Sequence, residues 1–472
     1  MLRFGTAGWR GVVGQLVTFH NVRLLLEATL SVLRQRGPVQ EVLVSYDTRL
    51  LSEKFARETV DLLTHHGVRT VLSERDLPAP CVAAAVRGRR ASLGVLFTGS
   101  HNAPEYNGVK LFAGNGTALP RDFTEAIEQA CDRLAGSTGD FYVPQRHLAS
   151  TAPLTEDYLS SLHRDIDWDA VKAAGLSVVV DPLYGSAREF LDRILLEHGV
   201  QTHVLHTTKD PYFGGYAPDC SPPNLAALRE RVRATRAVVG LATDGDADRF
   251  GVVSEQCRVV PPNVALALIV HHLLGHRRVR GGVGRTVGTT RLIDRVARAA
   301  GCEVVETPVG FGHFGPLLAS GALVVAAEES AGLGVAAHLP ERDGIYAALL
   351  VAELLAVRRL PMGDLVRELF AKFGPLVSRR VQLPLRERTR EALARLAART
   401  YTTFAGLPVV REDRRDGLLL ELAGDAWVLL RAAGTEPKVR IYAESPSAAQ
   451  LRGLIRAARQ LLQAAEEGGD HV

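Results

Sequence analysis

The chain alternates between short apolar runs rich in valine and leucine and longer stretches in which apolar positions recur every three or four residues. Runs of the first kind predict buried β-strands, and stretches of the second kind predict amphipathic helices. We predict a helix over 52–67, capped by Ser52 and ended by Gly67. The alternation indicates α/β domains, whose open sheets carry ligand groups at the carboxyl ends of their strands. The predicted strands cover residues 41–47, 92–98, 176–182, 237–244, 322–329 and 427–431.

Changes in composition divide the chain at three places. At 472 residues it is too long for a single hydrophobic core. A polar stretch at 137–153, the sequence PPN at 261–263 and the sequence KFGP at 372–375 mark the joints. The part after the last joint is richer in strands, and no fixed-period repeat is visible. We therefore predict four domains, over residues 1–145, 152–255, 256–374 and 375–472.

Charge and cysteine content narrow the class of protein. The formal net charge is only +4, and the short basic runs lack interleaved aromatic residues, so no nucleic-acid partner is indicated. The five cysteines are scattered without a CxxC pair, so neither a disulfide framework nor a zinc site is predicted. We expect no signal peptide and no membrane partner. The composition predicts a reducing, cytoplasmic setting and does not specify an oligomeric state.

Three acidic residues lie close together in the stretch GLATDGDADRFGVV at 240–253. Asp244, Asp246 and Asp248 repel one another unless a cation lies among them, so they predict a hard-metal site. Three protein ligands leave the coordination open, which suits Mg²⁺, and the adjacent Arg249 suits a phosphate. An EF-hand is excluded, because Arg249 replaces the required glycine and strands flank the loop. A solvated acidic turn is the alternative, which the flanking apolar strands disfavour.

The stretch RAAGTEPKVR at 431–440 lies between two predicted strands. Its turn of small residues lets successive backbone N–H groups point at one anion. Arg431, Thr435, Lys438 and Arg440 supply positive charge and a hydroxyl around that anion, and the last two share one strand face. The stretch predicts a phosphate site, and an ordinary basic hairpin is the alternative.

The stretch LFTGSHNAPEYNGVKLF at 96–112 places Ser100 and His101 at the end of a predicted strand. The local pattern TGSHN differs from the G-x-S-x-G of serine hydrolases. Adjacent residues of an extended segment point to opposite sides, so His101 is not expected to reach the Ser100 hydroxyl. Asn107 and Gly108 predict the turn of a β-hairpin that brings Lys110 back towards the serine. A polar hairpin without a function is the alternative.

Together these stretches resemble the α-D-phosphohexomutase superfamily, in family order over nearly the whole chain. The pieces YDTR, VDPLYGS, DPYFGG and ETPVGFG support the resemblance. The main matching motifs are FGTAGWRG at 4–11, TGSHN at 98–102 with NGVK at 107–110, DGDADR at 244–249, AEESAG at 327–332 and RAAGTEPKVR at 431–440.

The resemblance implies three related α/β domains and a smaller α+β C-terminal domain around a central cleft. It also implies an enzyme that moves a phosphoryl group within a hexose phosphate through a phosphoserine and a hexose 1,6-bisphosphate. Glucose 1,6-bisphosphate would be an activator, and hexose phosphates would be the partners.

The resemblance also assigns roles to individual residues. Ser100 would carry the phosphate, Lys110 would act as general acid and base, and His101 would assist it. Arg10 and Arg249 would steady the reacting phosphoryl group. One Mg²⁺ per chain would be held by an oxygen on Ser100 and by Asp244, Asp246 and Asp248. Glu328 and Ser330 would bind sugar hydroxyls, and the non-reacting phosphate would be held by Arg431, Gly434, Thr435, Lys438 and Arg440.

The preferred hexose is a further prediction from the resemblance. Glu329 between Glu328 and Ser330 is typical of phosphoglucomutases, whereas the phosphoglucosamine branch commonly carries glutamine there. We predict interconversion of glucose 1-phosphate and glucose 6-phosphate, with mannose phosphates and glucosamine phosphates as alternatives. Gly312 stands where related sequences often carry lysine, so a basic contact is missing or supplied by His313, and Ala433 replaces a serine of the phosphate loop.

Two other classes of protein are disfavoured by the motifs. The sequence GGVGRTVG at 281–288 has the wrong glycine spacing for a dinucleotide-binding oxidoreductase. A non-catalytic sugar-phosphate-binding protein would need the phosphate grip without the donor, and the presence of Ser100, Lys110 and the three aspartates disfavours it.

Overall fold

The apolar runs of the N-terminal part form one six-stranded sheet. The structure is a computed structural model that describes residues 2–5, 8–135, 150–434 and 437–467. The helices of this first unit are α1 (Phe19–Arg36), α2 (Ser52–His65), α3 (Ala79–Arg89) and α4 (Arg121–Ala135). Its strands are β1 (Trp9–Val12), β2 (Glu41–Tyr46), β3 (Arg69–Ser73), β4 (Leu93–Phe97), β5 (Tyr106–Ala113) and β6 (Ser150–Ala152), in the order β1-β5-β4-β2-β3-β6.

The second unit contains a four-stranded sheet in the order β10-β9-β7-β8. The strands at 177–181, 239–243 and 250–254 are buried except at Ser177, which matches their mostly apolar composition, whereas the edge strand at 201–204 is partly exposed. Its elements are α5 (Glu156–Asp165), α6 (Trp168–Ala174), β7 (Ser177–Asp181), α7 (Leu191–Glu197), β8 (Gln201–Val204), α8 (Ala226–Thr235), β9 (Val239–Thr243) and β10 (Phe250–Ser254).

The third unit contains another four-stranded sheet, in the order β12-β11-β13-β14. It opens at Pro262, as the PPN sequence predicts, because proline is favoured in the first turn of a helix. Its elements are α9 (Pro262–Gly275), β11 (Gly282–Thr286), α10 (Leu292–Ala299), β12 (Val304–Thr307), α11 (Gly315–Ala319), β13 (Leu323–Glu328), β14 (Gly332–Val335), α12 (Gly344–Arg358) and α13 (Met362–Phe373).

The fourth unit is smaller, and its six-stranded sheet is antiparallel throughout. The strand order is β15-β20-β19-β18-β17-β16. Its elements are β15 (Val377–Pro384), α14 (Glu387–Ala398), β16 (Thr403–Phe404), β17 (Leu407–Asp413), β18 (Leu418–Leu422), β19 (Ala426–Ala432), β20 (Lys438–Ser445) and α15 (Ala448–Glu466).

The first three units share one strand arrangement. In each, three parallel strands are followed by a fourth that turns back and pairs antiparallel with the third. The shared orders are β5-β4-β2-β3, β10-β9-β7-β8 and β14-β13-β11-β12. The implied architecture of three related α/β units and a smaller α+β unit is confirmed. The repeat is invisible in the sequence because strand order repeats while residue identity does not. We retain the predicted domain boundaries as a proposal; the joint at 137–153 lies largely outside the described residues.

Two local predictions were wrong. The helix predicted over 52–67 does start at Ser52, but Ser52 does not cap it; its hydroxyl donates to Asp47 Oδ1 at 2.8 Å. Asn107 and Gly108 do not form a turn but lie inside β5, where Gly108 is opposite Arg10 of β1. A Cβ on Gly108 would lie 2.0 Å from the Trp9 carbonyl oxygen, so close strand pairing requires the glycine. The chain instead reverses over residues 98–105.

A buried histidine joins the first three units. His338 Nδ1 lies 2.9 Å from Asp165 Oδ2, and Nε2 lies 2.9 Å from Asp343 Oδ2. Its carbonyl oxygen accepts a hydrogen bond from Arg87 of the first unit, and its ring stacks on Tyr346 at 4.0 Å. Burial acts to lower the pKa of His338, but the hydrogen bonds to Asp165 and Asp343 outweigh it and raise that pKa. None of the described helices is long and apolar enough to cross a membrane.

The third and fourth units meet through an apolar cluster and an ionic cluster. The ionic cluster is centred on Glu306 of β12, which pairs with Arg285 and Arg291 of its own unit and with Arg411 and Arg415 of the fourth. This interface fixes which face of the fourth unit is turned to the third. The apolar cluster contains Val287, Val309, Leu419, Trp427, Leu429 and Tyr442.

Candidate active site

The serine loop, residues 98–105, joins β4 to β5 and places Ser100 beside the second unit. Ser100 is buried and has a left-handed backbone conformation with φ of 50°, which costs free energy for a residue other than glycine. Its backbone N–H donates to Thr98 Oγ1 at 2.8 Å, which supports that conformation. Its hydroxyl donates to Asp244 Oδ2 at 3.2 Å. The serine and the first predicted metal ligand therefore meet although 144 residues separate them.

Arg49 holds the backbone of the serine loop through hydrogen bonds. Its side chain is fully buried, and its Nη2 donates to the carbonyl oxygens of Ser100 and Asn102, at 2.6 Å each. Its Nη1 donates to the carbonyl oxygens of Ala103 and Tyr106, at 2.8 and 2.9 Å. One rigid guanidinium thus fixes four carbonyls of the reversal. In the sequence, Arg49 stands out only as part of the supporting piece YDTR.

The acid loop, residues 244–249, joins β9 to β10 and gathers the three aspartates. All three are buried, and one carboxylate oxygen from each lies within 4.8 Å of those of the other two. Asp246 Oδ1 and Asp248 Oδ1 have no hydrogen-bond partner in the described part of the chain. Burial and repulsion by Asp248 and Asp246 raise the pKa of Asp244 to about 8. Unpaired buried carboxylate oxygens on a rigid loop fit a hard divalent cation, so the donor set is suitable for Mg²⁺.

Two cations lie against these carboxylates. The Lys110 ammonium lies 2.6 Å from Asp246 Oδ2 and also pairs with Asp248. Lys110 thus faces the acid loop, which also contacts Ser100 through Asp244, and its approach to the serine stays a prediction. Arg342, which no sequence motif indicated, is 2.8 Å from Asp248 Oδ2 and 3.2 Å from Glu328 Oε2. Burial would lower the pKa of Arg342, but Asp248 and Glu328 outweigh it and raise that pKa.

Arg10 and Arg249 approach the serine loop from two sides. Arg10 Nη1 donates to Asn102 Oδ1 at 3.1 Å. Burial lowers the pKa of Arg10 to about 10, and the neighbouring charge of Arg249 acts in the same direction. The backbone N–H of Arg249 donates to Asp244 Oδ1 at 3.1 Å, and its Nε lies 3.6 Å from Asp248 Oδ1. Both predicted phosphate-steadying residues thus face the cluster that contains Ser100.

His101 lies nearer to the serine than predicted. Its Nδ1 is 3.4 Å from Ser100 Oγ, which is a long and weak contact. The prediction that it could not reach assumed an extended backbone, whereas Ser100 is left-handed and turns the ring inwards. Burial and the charges of Arg249 and Arg10 lower the pKa of His101 well below its usual value. A neutral imidazole is therefore available beside the serine.

The sugar loop, residues 328–331, joins β13 to β14 and supplies the predicted sugar ligands. Ser330 Oγ donates to Glu328 Oε2 at 2.8 Å, the same oxygen that Arg342 contacts. Glu329 accepts a hydrogen bond from Thr286 Oγ1 at 3.2 Å. Burial and the charge of Glu328 raise the pKa of Glu329. Arg342 thus contacts the Glu328 carboxylate of this loop, which also accepts a hydrogen bond from the Ser330 hydroxyl, whereas Glu329 is held by Thr286.

The phosphate loop lies between β19 and β20 of the fourth unit. Arg431 is buried and donates to Asp416 Oδ1 through Nε at 3.0 Å. Gly434 is exposed and Lys438 is half-buried, whereas Thr435 lies outside the described residues. Arg440 stands directly opposite Arg431 across the two strands. The basic side chains of this loop are thus on the sheet rather than only in the turn.

The serine, acid and sugar loops occupy the same position in the three related units. Each connects the third strand of its unit to the antiparallel fourth. Each contains one residue other than glycine in a left-handed conformation, namely Ser100, Ala247 and Ala331 with φ of 50°, 59° and 69°. Arg49 and Arg342 lie outside these loops, which is why loop motifs did not reveal them. The sequence signal nearest to Arg342 is the adjacent Asp343, which caps the N-terminus of α12.

Comparisons with known proteins agree with this arrangement. Models of phosphoglucomutase/phosphomannomutase alpha/beta/alpha domains I, II and III match residues 1–136, 156–257 and 261–373, and the C-terminal domain model matches 382–461. A phosphoglucomutase of Komagataeibacter xylinus is 29% identical over 98% of this chain and 90% of its own length. A phosphoglucosamine mutase of Parafrankia sp. (strain EAN1pec) is 30% identical over 94% of this chain and 95% of its own length.

A solved structure shows the same fold over the whole length. The phosphoglucomutase/phosphomannomutase family protein of Burkholderia thailandensis is 25% identical and superposes with a TM-score of 0.82 over 98% of each chain. The four domain models follow one another in order and together cover most of the sequence. The chain therefore belongs to the phosphoglucomutase/phosphomannomutase family, within the α-D-phosphohexomutase superfamily.

Proposed function

We propose that this phosphohexomutase interconverts glucose 1-phosphate and glucose 6-phosphate through a phosphate carried on Ser100. The observation that carries the proposal is the position of Ser100 Oγ, 3.2 Å from Asp244 Oδ2 and within a cluster of buried carboxylates and cations from different units. Phosphoryl transfer needs this combination, because its catalysis consists mainly of positioning and of stabilising negative charge.

The reaction can be written with the residues of this site. The phosphorus–Oγ bond of phosphorylated Ser100 breaks while a bond forms from phosphorus to a sugar hydroxyl oxygen, which gives glucose 1,6-bisphosphate. Lys110 acts as the general base and acid that moves the proton of the sugar hydroxyl to the departing serine oxygen, and His101 assists beside the serine. Arg10 and Arg249 balance charge on the phosphoryl group. After the sugar turns over, the second phosphate returns to Ser100 by the reverse steps.

Mg²⁺ belongs to this proposal as one ion per chain. When it is held by Asp244, Asp246, Asp248 and an oxygen of the Ser100 phosphate, it supplies positive charge next to the transferring group. Treatment with EDTA should abolish turnover, and added Mg²⁺ should restore it. The buried or half-buried free cysteines fit the cytoplasmic compartment that we also propose.

The choice of glucose rests on the sugar loop. Glu328 and Ser330 share a hydrogen bond, and Glu329 beside them is the residue that favours a phosphoglucomutase over a phosphoglucosamine mutase. Mannose phosphates and glucosamine phosphates are the alternatives. Coupled assays with the three sugar 1-phosphates, started with glucose 1,6-bisphosphate, should give the highest kcat/KM for glucose 1-phosphate. A clear preference for glucosamine 1-phosphate would refute this choice.

The phosphoserine is tested directly by mass spectrometry. The purified active protein should contain a phosphate adduct on the peptide that includes Ser100, and Ser100→Ala should lose the adduct and at least about 1,000-fold in kcat. Ser92→Ala, at a partly exposed serine before β4, is a matched control that should keep both. Full activity of Ser100→Ala would refute the mechanism, and a protein without mutase activity on any hexose phosphate would point to the non-catalytic binding protein.

A further inference from the structure

Three arginines stand on one face of the sheet of the fourth unit. Arg431 of β19 is directly opposite Arg440 of β20. Arg380 of β15 is directly opposite Tyr442 of β20, two residues from Arg440, so it lies on the same face and diagonal to Arg440. Like charges at neighbouring cross-strand positions destabilise a sheet. A row of three guanidiniums across adjacent strands is therefore a feature that stability alone does not explain.

The arginines of this row differ in whether their charge is paired with a carboxylate. Arg431 is neutralised by Asp416, whose Oδ1 lies 2.9 Å from its Nη2. Arg380 is exposed and makes no hydrogen bond or close ion pair with the described residues. Its charge is therefore available to a ligand, unlike that of Arg431.

A buried hydroxyl in the same row also has no partner. Tyr442 is only 2% exposed, and its ring belongs to the apolar cluster between the third and fourth units. Its hydroxyl makes no hydrogen bond within the described part of the chain. Burial raises the pKa of Tyr442 to about 12, so the hydroxyl keeps its proton and remains a donor. Buried polar groups are nearly always paired, so an unpaired donor here indicates a missing acceptor.

The face that carries the row is turned to the sugar loop. The Tyr442 ring and the Glu329 carboxylate carbon lie 3.5 and 3.6 Å from where a Cβ on Gly288 would be, so Tyr442 is beside this loop. Arg380 and Arg440 are also near enough for their charges to act on Glu329 and on His101 of the serine loop.

We propose that Arg380, together with the Tyr442 hydroxyl and Arg440, binds the non-reacting phosphate of the substrate. The proposal rests on the proposed function and extends the phosphate site beyond its loop to β15. Two guanidiniums and one hydroxyl supply donors for the three free oxygens of a phosphate monoester, and each planar guanidinium can donate two parallel N–H groups to phosphate oxygens. The additional arginine also offsets the charge missing at Gly312, where related sequences often carry lysine.

The test compares Arg380→Ala with Arg379→Ala. Arg379 is the next residue of β15, is also exposed, and points to the opposite face of the sheet, so it is a matched control. Arg380→Ala should weaken binding of glucose 6-phosphate, measured by calorimetry, about 10- to 100-fold, as for a lost charged hydrogen bond. Because the non-reacting phosphate is held in both orientations, kcat/KM should fall by a similar factor for glucose 1-phosphate and glucose 6-phosphate. Arg379→Ala should change neither quantity.

Tyr442→Phe separates binding from packing. The substitution keeps the ring in its cluster and removes a hydroxyl that has no partner, so thermal stability should stay the same or rise while glucose 6-phosphate affinity falls about three- to tenfold. A structural role would lower stability and leave affinity unchanged, and that result would overturn the assignment of Tyr442.

The outcomes for the two proposals are distinct. If Arg380→Ala binds and turns over substrate as Arg379→Ala does, the phosphate role of Arg380 is wrong while the mutase proposal stands. If the wild-type protein turns over no hexose phosphate, the mutase proposal fails. In that case the calorimetric comparison of Arg380→Ala with Arg379→Ala still supports or overturns the phosphate site.

Discussion

Replacement of Arg49 by methionine removes the guanidinium that holds the serine loop. Methionine has a similar length and no donors, so the four backbone carbonyls of the reversal lose their partner. Asp47, whose Oδ2 lies 3.3 Å from Arg49 Nε, is left as a buried carboxylate without its counter-charge. We expect a large loss of stability and a displaced Ser100.

The magnitude follows from these contacts. A buried carbonyl that loses a hydrogen bond costs about 1–3 kcal/mol, and some of the four can regain water because Asn102 and Tyr106 are only half-buried. Breaking a buried charge pair from one side costs about 3–5 kcal/mol. We expect Arg49→Met to lower the free energy of unfolding by about 4 kcal/mol. A serine displaced by about 1 Å should also reduce kcat by about 100-fold.

Asp47→Asn separates two contributions of Arg49: its hydrogen bonds to the four carbonyls, here called the carbonyl clamp, and its ion pair with Asp47. Burial raises the pKa of Asp47 despite the nearby Arg49, and burial lowers the pKa of Arg49, so both charged forms are disfavoured in the fold. Asparagine keeps an oxygen for the Arg49 N–H and for Ser52 Oγ. The guanidinium keeps its four carbonyl acceptors, so Asp47→Asn should cost less than Arg49→Met when made alone and should recover about 2 kcal/mol in the Arg49→Met background.

Urea unfolding with linear extrapolation measures the free energies, and coupled assays measure kcat. Arg49→Lys is the control for charge, because a single ammonium cannot reach four carbonyls, and it should lose nearly as much activity as methionine. A cost below about 1 kcal/mol for Arg49→Met, with kcat unchanged, would refute the clamp. Equal costs for Asp47→Asn and Arg49→Met would show instead that the ion pair is what matters.

Three further predictions concern a contact, a buried charge and an open position. In Gly245→Ala the new Cβ would lie 2.6 Å from the Ser100 carbonyl oxygen, so kcat should fall about 100-fold, whereas Gly453→Ala on α15, where nothing lies within 4 Å, should leave kcat unchanged; equal kcat values would refute the contact. Because burial is outweighed by hydrogen bonds to Asp165 and Asp343, the folded-state pKa of His338 is above the unfolded value, so its stabilisation is fully present below about pH 6.5 and is lost as pH rises through the folded-state pKa. The difference in unfolding free energy between wild type and His338→Gln should shrink as the pH rises above about 6.5, and a difference that grows would contradict this. Gly312→Lys enters open space and adds a positive charge at the position where the family resemblance implies a lysine, so KM for glucose 1-phosphate should fall about tenfold; an unchanged KM would show that the position does not contact substrate.

The strands were predictable because burial on both faces leaves a long apolar signature. The predicted strand 41–47 is β2, 92–98 is β4 and 237–244 is β9, each within two residues. The reversal after β4 could not be located from Asn107 and Gly108. An Asn-Gly pair predicts a turn only where no neighbouring strand needs the glycine for close pairing. Here Gly108 is required by the close approach of β1, which joins the sheet from about 100 residues earlier.

The residue types of the site were predictable from the sequence, whereas most contacts between them were not. Local motifs identified Ser100 and the three aspartates, because carboxylates clustered in the sequence predict a cation site whatever the fold. The partner of Lys110 was not predictable, since its ammonium pairs with residues 136 and 138 positions away. Arg342 was missed for the same reason, because its charge has significance only beside Asp248 and Glu328, which lie 94 and 14 positions earlier in the chain.

The equivalence of the serine, acid and sugar loops has a consequence for how such a protein can change. The scaffold supplies one hairpin position three times, and under the proposed function the three copies serve separately to carry the phosphate, hold the cation and bind the sugar. A descendant that adopts another hexose has to alter the occupant of only one position. Under the proposed function the two remaining copies would keep the phosphoryl chemistry, so the preferred sugar could change without altering the residues that transfer the phosphate.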